Sequence, residues 1–272
     1  MVRPVLYPSA LLHRAVVHRW TGHAWPITCR TFFGERINLL LPSALDIALT
    51  GGKTHDSEIR LARFLIERLQ PGEQVVDVGA HYGYFSMLAA RLVGSDGRVL
   101  ALEATPQTHA VLAGNAARCT GMEAVHVAVH DSMMPADLTI HSNRAAEWNS
   151  INPSVREGCD VRTERVPGTS LDAVVRAHTL TPSLVKLDVE GAEDRVVAGG
   201  VEVLDRGVTV VMEHAAPGMD DASHQRAVER MRDMGYRPFA IRADGSLDAI
   251  RDVSSHVSHT GLESDNVVFE RD

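Results

Sequence analysis

The chain has 272 residues and a formal net charge of -8, so it carries no excess of positive charge for binding nucleic acid. Its composition, 44% hydrophobic and 23% charged, is ordinary for a globular protein, and no apolar run approaches the roughly 20 residues that span a bilayer. Cys29, Cys119 and Cys159 are far apart and form no CxxC pair. We therefore expect a cytoplasmic protein without disulfides, structural zinc, a membrane span or a nucleic-acid partner.

Residues 1–52 are interpreted as an N-terminal extension of a domain that occupies residues 53–272. Residues 11–20 favour a short helix, and the runs on either side of Gly34-Glu35 predict a hairpin over residues 27–41. Gly51-Gly52 then breaks the chain before residues 56–70, whose apolar spacing predicts a helix. An extension in this place could act as a lid over an acceptor or as a homodimer contact.

From residue 73 onward, strand and helix patterns alternate. Strands are predicted over residues 75–78, 99–103, 124–129, 184–188, 208–213, 236–241 and 266–270, and helices over residues 84–93, 106–119, 192–198 and 222–234. Residues 131–170 read as less regular, with a loop around residues 148–150. The alternation predicts an α/β fold with a mostly parallel sheet covered by helices on both faces. No helix is predicted between the last two strands, so we expect them to pair antiparallel at one edge.

A glycine turn follows the first of these strands. Asp77, Gly79 and Gly83 stand in the order Asp-x-Gly-x-x-x-Gly, where glycine permits close approach of a ligand to the backbone. In an open parallel sheet, ligands bind at the carboxyl ends of the strands, where the strand order reverses. Glu103 ends the next strand, and its carboxylate can accept both hydroxyl protons of a ribose. The two features together predict a nucleoside pocket.

The same turn discriminates between two classes of nucleoside ligand. The run from Gly79 to Gly83 lacks the second glycine of the G-x-G-x-x-G pattern that brings the backbone close to a pyrophosphate. A nicotinamide-dependent oxidoreductase is therefore disfavoured, and no Tyr-x-x-x-Lys pair supports one. The turn instead matches the first motif of S-adenosylmethionine methyltransferases, whose ligand has no phosphate. The plain structural alternative is a tight strand–helix turn that binds nothing.

A second group of ionisable residues lies between residues 185 and 193. Strand alternation puts Lys186 and Asp188 on one face, and Glu190 follows on the same side. Such a group at a strand end beside a cofactor pocket indicates chemistry, and Asp188 and Lys186 are catalytic candidates. The local alternative is that Glu190 and Glu193 favour the positive end of the next helix, while Lys186 simply pairs with Asp188.

His214, at the end of the following strand, is the candidate general base, because an imidazole titrates near neutral pH. The alternative is a loop histidine without a role. Asp188, Glu190, Glu213 and His214 could instead hold a hard divalent cation, although a metal is not expected.

Together these segments resemble the FkbM-like family of S-adenosylmethionine-dependent methyltransferases, over roughly residues 55–215. The resemblance rests on residues 77–85, 103–106, 169–172, 185–193 and 211–213. It implies a Rossmann-like class I methyltransferase fold, with a seven-stranded, mostly parallel sheet and an antiparallel edge strand. It also implies O-methylation of a small natural product, sugar or glycan, with S-adenosylhomocysteine as product. An N-methyltransferase or a non-catalytic S-adenosylmethionine-binding protein remains the alternative.

The resemblance also assigns residues to parts of the cofactor. The methionine moiety would contact Asp77, Gly79, Ala80, His81 and Gly83, and the ribose would contact Glu103. Ala128 and Val129 would approach the adenine, Asp188 would lie near the transferable methyl, and Asn149-Ser150 would also touch the pocket. Tyr84, Phe85 and Ala104 complete the expected cofactor site. The family usually has Asn where this chain has His81, so we expect binding with altered local geometry.

Overall fold

The computed structural model describes residues 24–141, 161–216 and 221–271. The helix predicted over residues 11–20 and the loop with Asn149-Ser150 lie outside these ranges. Among the residues that the structure describes, no helix has the length and apolarity that crossing a membrane requires.

The described part of the N-terminal extension forms the expected hairpin. Strands β1 (Trp25–Arg30) and β2 (Arg36–Leu41) pair antiparallel, and helix α1 (Leu45–Thr50) follows. Ile37 and Leu39 of β2 are buried in one hydrophobic cluster with Phe64 and Tyr84 of the following domain. The hairpin therefore packs into the hydrophobic core of the domain that follows it in the chain. A role as lid or dimer contact stays a prediction.

Further strands and helices follow the hairpin in chain order. The strands are β3 (Gln74–Val78), β4 (Arg98–Glu103), β5 (Met122–His126), β6 (Ala128–Val129), β7 (Ala136–His141), β8 (Val161–Val166), β9 (Gly168–Thr169), β10 (Leu184–Leu187), β11 (Thr209–Ala215), β12 (Arg237–Ile241), β13 (Leu247–Ala249) and β14 (Ser264–Glu270). The helices are α2 (Asp56–Arg68), α3 (Tyr84–Val93), α4 (Pro106–Ala116), α5 (Leu171–Ala177), α6 (Glu193–Ala198), α7 (Val201–Leu204), α8 (Asp221–Asp233) and α9 (Val253–Thr260).

Eight of the described strands form the main sheet, in the order β13-β12-β14-β11-β10-β3-β4-β5. Strands β11, β10, β3, β4 and β5 are parallel, whereas β14 runs antiparallel to both β11 and β12. This confirms the α/β, Rossmann-like class I methyltransferase fold. Short β13 adds an eighth strand to the expected seven and forms an antiparallel edge on β12.

Three details differ from the sequence prediction. The last two predicted strands, β12 and β14, do pair antiparallel, but β13 and α9 come between them in the chain. Helix α9 was not predicted because only Val253 and Val257 are buried in it, too few to reveal a helical period. The predicted strand over residues 124–129 ends at His126, because Ala128–Val129 pairs with β9 instead. Part of the region read as irregular forms the antiparallel pair β7–β8.

Each face of the sheet has its own hydrophobic core. On one face, here called the hairpin face, buried residues of the sheet pack against the hairpin and α1–α4. On the opposite face they pack against α5–α9. Alternation along β11 sends Val211 to the hairpin face and Met212 to the opposite face.

The order of the parallel strands reverses between β3 and β10. From β3 the chain proceeds outward to β4 and β5, whereas β10 and β11 lie on the other side of β3. Such a switch point leaves a crevice at the carboxyl ends of the two central strands. The glycine turn follows β3, and Asp188 follows β10, so both sequence motifs meet at this crevice.

Candidate functional site

The glycine turn is anchored to the end of β4. Gly79 and Gly83 have positive φ angles of 79° and 86°, which glycine adopts without strain. The backbone N–H groups of Gly79 and Ala80 both donate to the Leu102 carbonyl, at 2.9 and 3.0 Å. These bonds hold the turn beside Glu103, the residue that follows Leu102.

The Glu103 carboxyl is held by two backbone donors. Its Oε2 accepts from the His81 N–H at 2.9 Å, and its Oε1 accepts from the Thr105 N–H at 2.8 Å. Burial raises the pKa of Glu103, and these hydrogen bonds oppose the rise. The Thr105 side chain also hydrogen-bonds this carboxyl. Because a carboxylate offers about four lone-pair sites, Glu103 can still accept a hydrogen bond from the ribose. The arrangement fits the nucleoside of S-adenosylmethionine.

His81 has an unusual backbone and an enclosed side chain. Its φ of 51° is rare outside glycine, and its ring lies 3.8 Å from that of Tyr82, centroid to centroid. Burial, with the nearby Lys53 charge, lowers the pKa of His81 to about 3, so the imidazole is neutral at physiological pH. Its Nε2 atom is buried without a hydrogen-bond partner among the described residues. Such an atom at the glycine turn fits a polar group of a bound cofactor.

Lys186 lies between two carboxylates. Its Nζ donates to Asp188 Oδ2 at 3.0 Å and lies 3.4 Å from Asp77 Oδ1, while Asp77 Oδ2 accepts from the Ser86 hydroxyl at 2.5 Å. Burial would lower the pKa of Lys186, but Asp188 and Asp77 outweigh burial and raise it. The group therefore stays an ammonium, which suits it to orienting Asp188 and not to accepting a proton.

Three half-buried carboxyl groups converge at the ends of β10 and β11. Each of Asp188, Glu190 and Glu213 has an oxygen within 4.8 Å of those of the other two. Burial and the Asp188 charge raise the pKa of Glu213 well above its usual value. Burial also acts to raise the pKa of Asp188, but Lys186 and a hydrogen bond with Glu213 hold it below its usual value. The two shifts have opposite directions, so Asp188 loses its proton more readily than Glu213 does.

The structure does not bring His214 to these carboxyl groups. Alternation along β11 sends Glu213 to the hairpin face and His214 to the opposite face, where His214 is 0% exposed. Its ring lies 4.9 Å from that of His224 in α8, centroid to centroid. The expected general base thus has no geometric support, and the four-residue metal alternative reduces to the three carboxyl groups, where a cation stays a prediction.

The other expected cofactor residues divide into two groups. Tyr84 and Phe85 are buried at the start of α3, and the Phe85 ring centroid lies 5.6 Å from Lys186 Nζ. Ala104 packs against the small cluster that contains Ala128, which brings the expected ribose and adenine segments together. Val129, by contrast, belongs to the core of the opposite face.

Two residues near the site were missed in the sequence. Lys53 pairs with Glu58 at 2.7 Å, and its charge acts on both His81 and Asp188. Asn115 of α4 is fully buried; its amide donates to the carbonyl oxygens of Tyr82 and Asn38, at 2.7 and 3.0 Å. In the sequence, Asn115 is marked only weakly, as a polar residue among the apolar residues of α4. No local sequence pattern marks Lys53 as a residue near the site.

The family model for the methyltransferase FkbM domain matches residues 77–238, more than half of the chain. The chain belongs to the FkbM family of S-adenosylmethionine-dependent methyltransferases. The resemblance seen in the sequence is therefore confirmed, and S-adenosylmethionine is the cofactor of this FkbM methyltransferase. No curated protein sequence matches the chain.

Several solved methyltransferase structures resemble the fold. They include precorrin-6y C5,15-methyltransferase from Geobacter metallireducens, 16% identical over 78% of this chain and 87% of that chain, with a TM-score of 0.42. The O-methyltransferase from Bacillus cereus is 12% identical over 84% of both chains, with a TM-score of 0.43. Fibrillarin from Aeropyrum pernix is 10% identical over 91% of this chain and all of that chain, with a TM-score of 0.46. Similarity at this level carries no information on the methyl acceptor.

Proposed function

We propose that the protein transfers the methyl group of S-adenosylmethionine to a hydroxyl oxygen of a small acceptor, such as a sugar or another natural product. The observation that carries this proposal is the position of the Asp188 carboxyl, which accepts a hydrogen bond from Lys186 and lies beside Glu190 and Glu213. The backbone carbonyl of the same residue lies directly against the glycine turn. In this scheme the cofactor contacts the turn from Asp77 to Phe85, together with Glu103, Ala104 and Ala128.

The chain's own residues then have two tasks, which are positioning the acceptor and accepting its proton. When bound, S-adenosylmethionine supplies a methyl carbon that its sulfonium already activates. Asp188 accepts a hydrogen bond from the acceptor hydroxyl and so aims the oxygen lone pair. As the oxygen forms its bond to carbon, the hydroxyl proton becomes strongly acidic and passes to the carboxylate. Lys186 and Glu213 keep Asp188 oriented by hydrogen bonds to its carboxyl.

The charge of the cluster favours oxygen over an aliphatic amine. Asp188 and Glu190 would stabilise the protonated ammonium form of an amine, which has no lone pair for the methyl carbon. A hydroxyl keeps its lone pairs at every physiological pH. N-methylation therefore stands as the second candidate, and cytoplasmic location and a homodimer remain predictions.

A panel of matched acceptors tests the proposal. The protein is incubated with methyl-labelled S-adenosylmethionine and pairs of sugars and polyketide-like alcohols, each with an amine analogue that differs only at the reacting atom. We expect labelled ethers from members of the hydroxyl series. Label confined to the amines would support N-methylation, and bound cofactor without any transfer would support a non-catalytic protein.

A further inference from the structure

A group of buried ionisable side chains lies outside the site described above. Glu193, at the start of α6, is 1% exposed, and His224 of α8 is 5% exposed. Glu193 Oε2 lies 3.4 Å from His224 Nε2, and the ring of His214 packs beside that of His224. His214 and His224 lie on the opposite face of the sheet from Asp188, and Glu193 begins a helix that packs on that face. The mechanism so far uses none of them, although burying them is costly.

The other oxygen of Glu193 reaches the loop that carries the acidic residues. Its Oε1 accepts from the backbone N–H of Gly191 at 3.2 Å and from that of Val189 at 3.4 Å. These two amides flank Glu190. The buried Glu193 carboxyl thus accepts hydrogen bonds from the residues on both sides of Glu190, in the loop that follows Asp188.

This loop needs such support because its backbone is strained. Glu190 has a φ of 52° and Gly191 a φ of 90°, two consecutive residues in the left-handed region. A side chain other than glycine occupies that region only at a cost, so the surrounding contacts must hold it there. At the start of the loop, the carbonyl of Asp188 lies directly against Gly79, so a shift of the loop would also disturb the cofactor turn.

We infer that Glu193 is a positioning residue, held from behind by His224, that fixes the loop of residues 188–191 and thereby aims Asp188 at the acceptor. The inference deepens the proposed function and rests on it. In this arrangement His214 packs against His224 and does not act as a base.

The loop amides give a direct readout. Hydrogen–deuterium exchange of the peptide that spans residues 187–192 is measured in the wild type, Glu193→Ala and Glu193→Gln, and affinity for S-adenosylhomocysteine is measured by calorimetry. Glu193→Ala should speed exchange of the loop by about tenfold or more and weaken binding of S-adenosylhomocysteine about tenfold, because two backbone amides of the loop lose this acceptor. Glu193→Gln keeps an acceptor oxygen there and should restore both values to within about threefold of the wild type.

Asp194 provides the matched control. This neighbouring carboxylate of α6 binds the Ser223 hydroxyl at 2.7 Å and Arg226 Nε at 2.6 Å, across to α8. Asp194→Ala should lower the melting temperature yet leave loop exchange and S-adenosylhomocysteine affinity near the wild-type values. Equal loosening of the loop by Asp194→Ala, or failure of Glu193→Gln to restore it, would mean that Glu193 is merely structural.

The positioning role of Glu193 and the proposed O-methylation can be tested independently of each other. Unchanged loop exchange in Glu193→Ala would overturn the positioning role and leave the proposed function intact. Label confined to the amine series of the acceptor panel would overturn the proposed function, whatever the loop exchange showed.

Discussion

A Cβ atom built on Gly79 would lie 1.7 Å from the backbone carbonyl oxygen of Asp188. The glycine turn after β3 and the acidic loop after β10 are therefore in direct contact, although 109 residues separate them. Only a residue without a side chain allows this approach. The contact joins the cofactor turn to the carboxylate that we assign to the acceptor.

Gly79→Ala should disrupt this contact. The added methyl must displace a backbone carbonyl, and the φ of 79° is also unfavourable for alanine. Gly72→Ala is the control, because Gly72 has a similar φ of 88° but nothing within 4 Å of the added Cβ. In urea unfolding, Gly79→Ala should cost about 1–3 kcal/mol more than Gly72→Ala, and it alone should lose affinity for S-adenosylmethionine. Equal effects of the two substitutions would show that the close approach is unimportant.

Glu103→Gln should weaken cofactor binding. The carboxyl is the only group at the end of β4 that we assign to the ribose, and hydrogen bonds to a charged acceptor are the stronger kind. Calorimetry with S-adenosylmethionine should show a loss of about tenfold or more. Glu123→Gln, an exposed change on adjacent β5, should leave the affinity unchanged. The same affinity in both variants would remove Glu103 from the cofactor site.

The raised pKa of Glu213 predicts a pH-dependent difference in stability. Burial and Asp188 raise the folded-state pKa above the unfolded value, so the stabilising contribution is complete below about pH 4.5 and is lost as the pH rises through the folded-state pKa. Glu213→Gln is neutral at every pH and escapes this loss. Relative to the wild type, its free energy of unfolding should improve by up to about 1.4 kcal/mol per pH unit above pH 5. If the free energies of unfolding of the two proteins changed in parallel with pH, the raised pKa of Glu213 would be contradicted. Glu229→Gln is the control for loss of an exposed carboxyl.

His214→Asn separates packing from chemistry. Because His214 is buried beside His224 on the face away from Asp188, the variant should lose about 1–3 kcal/mol of stability. Turnover per folded molecule should stay within about threefold of the wild type, since no proton transfer passes through the ring. A loss of about 100-fold at unchanged stability would restore His214 as the base.

The sequence predicts which strand ends carry the site better than it predicts the face of the sheet on which each side chain lies. Asp77, Gly79 and Glu103 follow from spacing alone, because the carboxyl ends of adjacent parallel strands must lie together. His214 faces away from the acids because one step along a strand exchanges the two faces, and sequence alone does not say which of Glu213 and His214 faces them. Val129 lies in the core of the opposite face, where Ala128–Val129 pairs with β9 after β5 has ended at His126. The roles of both residues in the site stay predictions.

Long-range contacts explain what the sequence leaves out. Asn115 joins α4 to Tyr82 and to β2, elements that are 33 and 77 residues away in the chain. Glu193, which accepts hydrogen bonds from the loop of residues 188–191, lies against His224 of α8. No local sequence pattern connects His224 with that loop. Neither contact has a periodic signature, so only the folded chain reveals them.

Methyl transfer by Asp188→Asn shows whether this carboxylate accepts the proton of the acceptor hydroxyl. At saturating labelled S-adenosylmethionine and with an acceptor from the hydroxyl panel, the variant keeps the shape of the side chain but cannot take the acceptor proton. We expect a loss of about 100-fold or more in turnover, with cofactor affinity within about threefold of the wild type. Turnover equal to that of the wild type would contradict this role.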